Sequence, residues 1–286
     1  MRFTTCLGLV VIASALMIAP AYGGTITQWT FENQPVTGAP PYNNSPTPST
    51  GVGTASSIGM DIYPTPQVGV TSDDILQGAT GDTGVNGNAN LSQIWRVRAQ
   101  AGPTGGAANG WSSLAPIGTQ GAVFSASTVG VKGPINVGFD WYATNQGEAN
   151  LQLRYTDNGI TFTNLPITLN ASDAGLAALN NVTSPNTVIG SYVSITGGAG
   201  QGWFPGLAAT INDPLAAGNP NFAIEMVNAS TGADNISAKG TPLNNNSGNW
   251  RFDNVTISAA VPEPSTIALA ALSLVGLSVS FLKRRS

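Results

Sequence analysis

Short runs in which apolar and polar residues alternate recur along this chain, separated by Gly, Asn and Pro. Alternation of period two is the mark of a strand with one buried face. It predicts strands at Thr25–Glu32, Ile94–Ala99, Gly121–Ser127, Ile135–Tyr142, Leu151–Tyr155, Ile160–Thr163, Val188–Ile195, Phe222–Val227 and Trp250–Ser258. Helical spacing is confined to the two ends and to a turn or two at Asp173–Asn180. Residues 35–90 are weakly patterned and rich in Gly, Pro, Thr and Asn, which predicts long loops with a few edge strands. Many short strands with turn residues between them predict an all-β antiparallel sandwich or barrel over residues 24–259.

The ends differ from the body. Arg2, an apolar stretch from Leu7 to Ile18 and the small residues Ala21 and Gly23 predict a signal peptide helix over residues 1–23, cut between Gly23 and Gly24. At the other end Pro262-Glu263-Pro264 is held extended by its prolines. An uncharged apolar run then leads to Lys283-Arg284-Arg285. Counted from Ser265 to Leu282, that run is near the short limit for a transmembrane helix. The basic triplet stops transfer and leaves the body outside.

Pro262-Glu263-Pro264, one apolar helix and a basic terminus, in that order, resemble the PEP-CTERM sorting signals of exported bacterial proteins. The resemblance covers residues 260–286. It implies an exosortase-type processing enzyme that reads Pro262, Glu263 and Pro264, a membrane-anchored precursor, and delivery to the cell surface or extracellular matrix. Phrases such as Val137-Gly138-Phe139-Asp140-Trp141 and Trp250-Arg251-Phe252-Asp253-Asn254-Val255 resemble the jelly-roll, lectin-like bodies of such proteins. The resemblance implies association with exopolysaccharide or another glycan.

Composition narrows the chemistry. Only 8% of residues are charged, against roughly 25% in an ordinary domain. Between the ends, six basic residues face thirteen acids, a net charge of −7, and this argues against nucleic acid as a partner. The chain has no histidine, which removes the commonest general base and most zinc and copper sites. Cys6, its one cysteine, lies in the leader, so the body has neither disulfide nor thiol nucleophile.

Four sets of candidate residues remain. Trp111 and Trp203, in glycine-rich stretches, are candidate platforms for sugar rings, as against packing in the core with Trp95, Trp141 and Trp250. Glu32 and Asp253, on the first and last strands, are a candidate structural calcium pair, or else solvated acids or partners of Arg251. Tyr155-Thr156-Asp157-Asn158-Gly159-Ile160-Thr161-Phe162 resembles a single Asp-box, but one copy cannot make a propeller, and the segment is read as an Asn-Gly hairpin with Asp157 capping the turn. Asp140, Glu148 and Glu225 are the acids a histidine-free glycosidase would have to use, although their spacing selects no pair. The expectation is a non-catalytic surface protein that binds glycan or plays a structural part; a glycan-active hydrolase and a protein-binding adhesin are the alternatives.

Overall fold

The computed structural model describes residues 23–32, 34–36, 43–60, 73–77, 93–98, 110–169, 187–190, 192–194, 202–229, 236–243 and 248–260. Residues 1–22 and 261–286 lie outside it, and with them the signal helix, the 262–264 motif, the 265–282 span and the basic tail. The same holds for the turn expected at 173–180. No helix among the described residues is long and apolar enough to cross a membrane.

The body, Thr25–Ser258, is built of two antiparallel sheets. One sheet runs β11 (Thr187–Gly190), β10 (Ile167–Leu169), β13 (Gly202–Ile211), β7 (Ile135–Ala143), β15 (Trp250–Ala259), β1 (Thr25–Trp29) and β2 (Thr50–Gly51), with β5 (Gln93–Val97) also on β15 and β4 (Asp74–Gln77) on β5. The other runs β12 (Tyr192–Ser194), β8 (Asn150–Thr156), β14 (Ala223–Asn228), β6 (Gly121–Ala126) and β3 (Gly53–Ile58), with β9 (Thr163–Asn164) on β8. From β5 to β8, and again from β11 to β15, each successive strand crosses to the opposite sheet. The result is a sandwich, and the strands expected in residues 35–90 are indeed edge strands.

Alternation produces this arrangement directly. In β7 the side chains of Ile135, Val137, Phe139 and Trp141 point into the core, while Asn136, Gly138 and Asp140 take the other face. The two strands that flank β7 each slip by one residue. In β15, Trp250 and Phe252 are inward, but beyond Asp253 the inward residues are Val255 and Ile257. Asn254, at φ 50°, absorbs the extra residue. There β15 exchanges partners: Trp250, Arg251 and Phe252 pair with β5, and Val255 to Ser258 pair with β1. In β13 the register shifts between Phe204 and Leu207, across Pro205 and Gly206, with Gly206 at φ 69°.

The space between the sheets is filled by aromatics. Trp29 meets Phe124 edge-on at 5.1 Å, Phe124 meets Trp95 at 5.7 Å, and Trp250 meets Trp141 at 5.3 Å and Trp111 at 4.2 Å. Such pairs add about 0.5–1.5 kcal/mol each beyond the area they bury.

Two expected strands differ. Ile160 and Thr161 lie in the turn after β8, and pairing resumes only at Thr163, because Asn158 and Thr156 take up the local amides. The stretch expected at Val188–Ile195 is two strands, β11 and β12, in opposite sheets.

One end of the sandwich gathers Ile135, Ile211, Thr156, Ala126 and Ser258. Ile211 pairs with Ile135, and Ser258 Oγ donates to Asn136 O. Ala126 N donates to Phe222 O beside the Ala223–Thr156 pair. Thr25 is opposite Ser258, so both ends of the body are here.

Candidate functional site

The acids are held by structure. Asp140 Oδ1 accepts from Gly206 N at 2.6 Å and Oδ2 accepts from Asn254 Nδ2 at 2.8 Å. Glu148 is buried and its Oε1 accepts from both Asn150 N and Asn150 Nδ2. Glu225 Oε2 accepts from Arg154 Nε at 2.6 Å, and the same guanidinium donates to Gly118 O and lies over the Phe162 ring. Burial raises the Glu225 pKa, and the charge and hydrogen bond of Arg154 oppose the rise.

Glu32 lies in a turn beyond the end of β1 rather than on the first strand, whereas Asp253 is on the last strand, β15, as expected. Glu32 Oε1 accepts from Gln93 N, at the start of the strand that pairs with β15 through Trp95–Phe252. Asp253 is buried beside the bulge, and its Oδ1 accepts from Asn254 N. Each carboxylate therefore already serves a backbone amide. Among the described residues no group of three or more His, Cys, Asp or Glu side chains gathers to hold a metal.

The tryptophan platform needs correction. Trp111 is 1% exposed and its ring packs against Trp250 within the core, so it presents no face to a sugar. Trp95, Trp141 and Trp250 are likewise buried. Trp203 falls on β13, but its side chain lies outside the described residues. Among the described residues, an exposed aromatic that sequence reasoning missed is Tyr192, 48% exposed on the edge strand β12 and opposite Gln152.

The Asp-box segment is a capped turn. Asn158 Oδ1 accepts from Ile160 N and Thr161 N, both at 2.8 Å, and Thr156 Oγ1 accepts from Gly159 N. The capping falls to Asn158 and Thr156, while the backbone of Asp157 accepts from Asn219 Nδ2.

A charged row also escaped the sequence reading. Arg251 stands opposite Arg96, and Arg96 opposite Asp74. Arg96 Nε donates to Asp74 Oδ1 at 2.6 Å, and its Nη2 pairs with Oδ2. Arg251 lies 4.8 Å over the Tyr142 ring and donates from Nε to Asn249 Oδ1. Burial raises Asp74's pKa against the pull of Arg96, Arg98 and Arg251, and raises that of Tyr142 against Arg251. The alternation of each strand shows which residues share a face; only the register shows that these three strands meet.

Together these observations define an all-β antiparallel sandwich in which Asp140, Glu148 and Glu225 are tied into the fold. Residues 260–285 match the PEP-CTERM protein-sorting motif. The chain thus carries the sorting signal of an exported, envelope-directed protein processed by exosortase, behind a β-rich body.

No curated protein matches the sequence. Among solved structures, the chain is similar to the CBM22-1–GH10 modules of xylanase 10B from Clostridium thermocellum at 12% identity and TM-score 0.34, over 84% of this chain and 28% of that one. It thus spans little more than a quarter of that xylanase structure. The K2 cleaved adhesin domain of Lys-gingipain gives 12% identity and TM-score 0.34, over 82% of this chain and 97% of that one. The CBM22-1 xylan-binding domain of Paenibacillus barcinonensis Xyn10C gives 10% and 0.31, over 85% and 100%. At these scores none of the three carries an argument about fold or ligand.

Proposed function

We propose that this chain is a non-catalytic surface or matrix protein. Its sandwich associates with exopolysaccharide, by binding glycan or as a structural component, after its tail has anchored the precursor in the membrane. The observation that carries this reading is the sorting motif at 260–285, which follows directly on the last strand, β15. The engagement of Asp140, Glu148 and Glu225 with neighbouring amides and Arg154 supports a role without turnover. Tyr192 is the aromatic with which such a body would meet a sugar ring.

The test is the intact mass of protein recovered from medium and from membranes. A body that begins near Gly24 and ends near residues 262–265 is the expected result. A full-length C-terminus found only in membranes would reduce the tail to a plain anchor.

A further inference from the structure

The end of the sandwich from which β15 leaves is also where apolar side chains stand furthest into solvent. Among the described residues, four of the five most exposed large apolar side chains are Val52, Val129, Ile160 and Leu215, each between 65% and 86% exposed. Val52 joins Gly51 of one sheet to Gly53 of the other, and Gly53 pairs with Ala126. Val129 is in the β6–β7 connection, Ile160 in the turn after β8, and Leu215 in the β13–β14 connection.

Three of these tips stand on loops tied to one another. Thr128 Oγ1 donates to Ala216 O at 2.6 Å, and Thr128 N to Asn219 O. Asn219 Nδ2 donates to Asp157 O and Leu215 O. Tyr155 Oη donates to Asp213 Oδ2 at 2.9 Å, fixing the β8 end against the Leu215 loop. The bracing holds Val129, Ile160 and Leu215 outward on neighbouring loops of one end of the sandwich.

The chain's own sequence says which surface. The sorting motif starts at residue 260, and Ser265, where the apolar run is counted from, is six residues beyond Ala259. Fully extended, those residues reach roughly 20 Å. In a precursor whose tail enters the bilayer, a tether of that length keeps the end of β15 within roughly 20 Å of the point of entry.

We infer that Val52, Val129, Ile160 and Leu215 form a membrane-facing apolar crown that inserts shallowly into the lipid interface of the anchored precursor. This rests on the membrane stage of the sorting proposed above. Lys132 is offset on the same loops by Asp157 and Asp213, so attraction to anionic lipid is weak and contact is driven by apolar insertion.

The test uses the full chain with Cys6→Ser and single cysteines, V129C, I160C, L215C, or L114C and I117C. Leu114 and Ile117 are exposed on the connection into the opposite end of β6. Each variant carries an environment-sensitive dye and is reconstituted in vesicles of phosphatidylethanolamine and phosphatidylglycerol. Emission from 129, 160 and 215 should shift to the blue and be quenched by lipid-borne spin labels, while 114 and 117 stay wet. The inference is overturned by protein that floats with the vesicles while its crown stays wet, and also by equal shifts at all five sites. A shift that requires an exosortase-type enzyme in the vesicles assigns the crown to a protein partner and overturns it too. Protein that fails to float removes the membrane stage itself, and the crown with it.

Discussion

Asp140 Oδ2 accepts a hydrogen bond from Asn254 Nδ2 at 2.8 Å while its other oxygen holds Gly206 N. Asn254 and Gly206 occupy the bulges of β15 and β13, the two strands that flank β7. One carboxylate thus fixes both register slips, and an acid that looks catalytic on paper is a staple. Asp140→Ala should destabilise the body by about 1–3 kcal/mol, the usual cost of leaving partly buried donors unpaired. Urea titration would show it, and an unchanged midpoint would deny the staple.

The core and the proposed sugar contact at Tyr192 should separate by mutation. Trp111→Ala should cost about 3–5 kcal/mol because it opens a large hole beside Trp250. Trp111→Phe should cost much less, since the Trp111 indole N–H has no partner among the described residues and none is lost. Tyr192→Ala should leave the melting temperature nearly unchanged and weaken retention of the protein in polysaccharide gels. Equal retention of wild type and Tyr192→Ala would remove Tyr192 as the contact.

Stability should fall as pH rises from about 4, the ordinary carboxylate range, toward neutrality. Asp74 and Glu225 both have raised pKa values, burial being the larger cause in each. The folded chain therefore holds protons that the unfolded chain has released, and their stabilising contribution is full below the ordinary value and lost through the raised one. Melting curves across this range should slope downward with pH, and Asp74→Asn with Glu225→Gln should flatten the slope. A slope that persists unchanged in the double variant would place its source elsewhere.

At the turn after β8, Asn158→Ala should cost about 1 kcal/mol through its lost amide contacts, and Asp157→Ala close to nothing. The reverse order in thermal melts would restore Asp157 as the cap.

Calcium and EDTA should give the same melting temperature, because Glu32 and Asp253 already hold the amides of Gln93 and Asn254. A clear rise in calcium would make the β1–β5–β15 junction a metal site.

Most of the strong strands were legible because their alternation is clean, as in Ile135–Ala143. β13 was not: Pro205-Gly206 reads as a loop, and only the bulge anchored by Asp140 lets the strand continue through it. β3, Gly53-Thr54-Ala55-Ser56-Ser57-Ile58, has side chains too small to mark a face. The buried tryptophans illustrate a different limit. Glycine neighbours make Trp111 look like a loop residue, whereas packing on Trp250 decides its place. Outward charges such as Arg96 and Arg251 were visible singly, but their adjacency is a property of register.

The last strand has a mechanical consequence. β15 lies inside its sheet, bonded to β7 along one edge and to β5 and β1 along the other, and the sorting tail continues from its end. A pull on that tail is directed along the strand. It loads both rows of hydrogen bonds together in shear, so they cannot be peeled apart one by one. If the tail tethers the body as proposed, resistance to drag from flowing medium is set by the unfolding rate rather than by equilibrium stability.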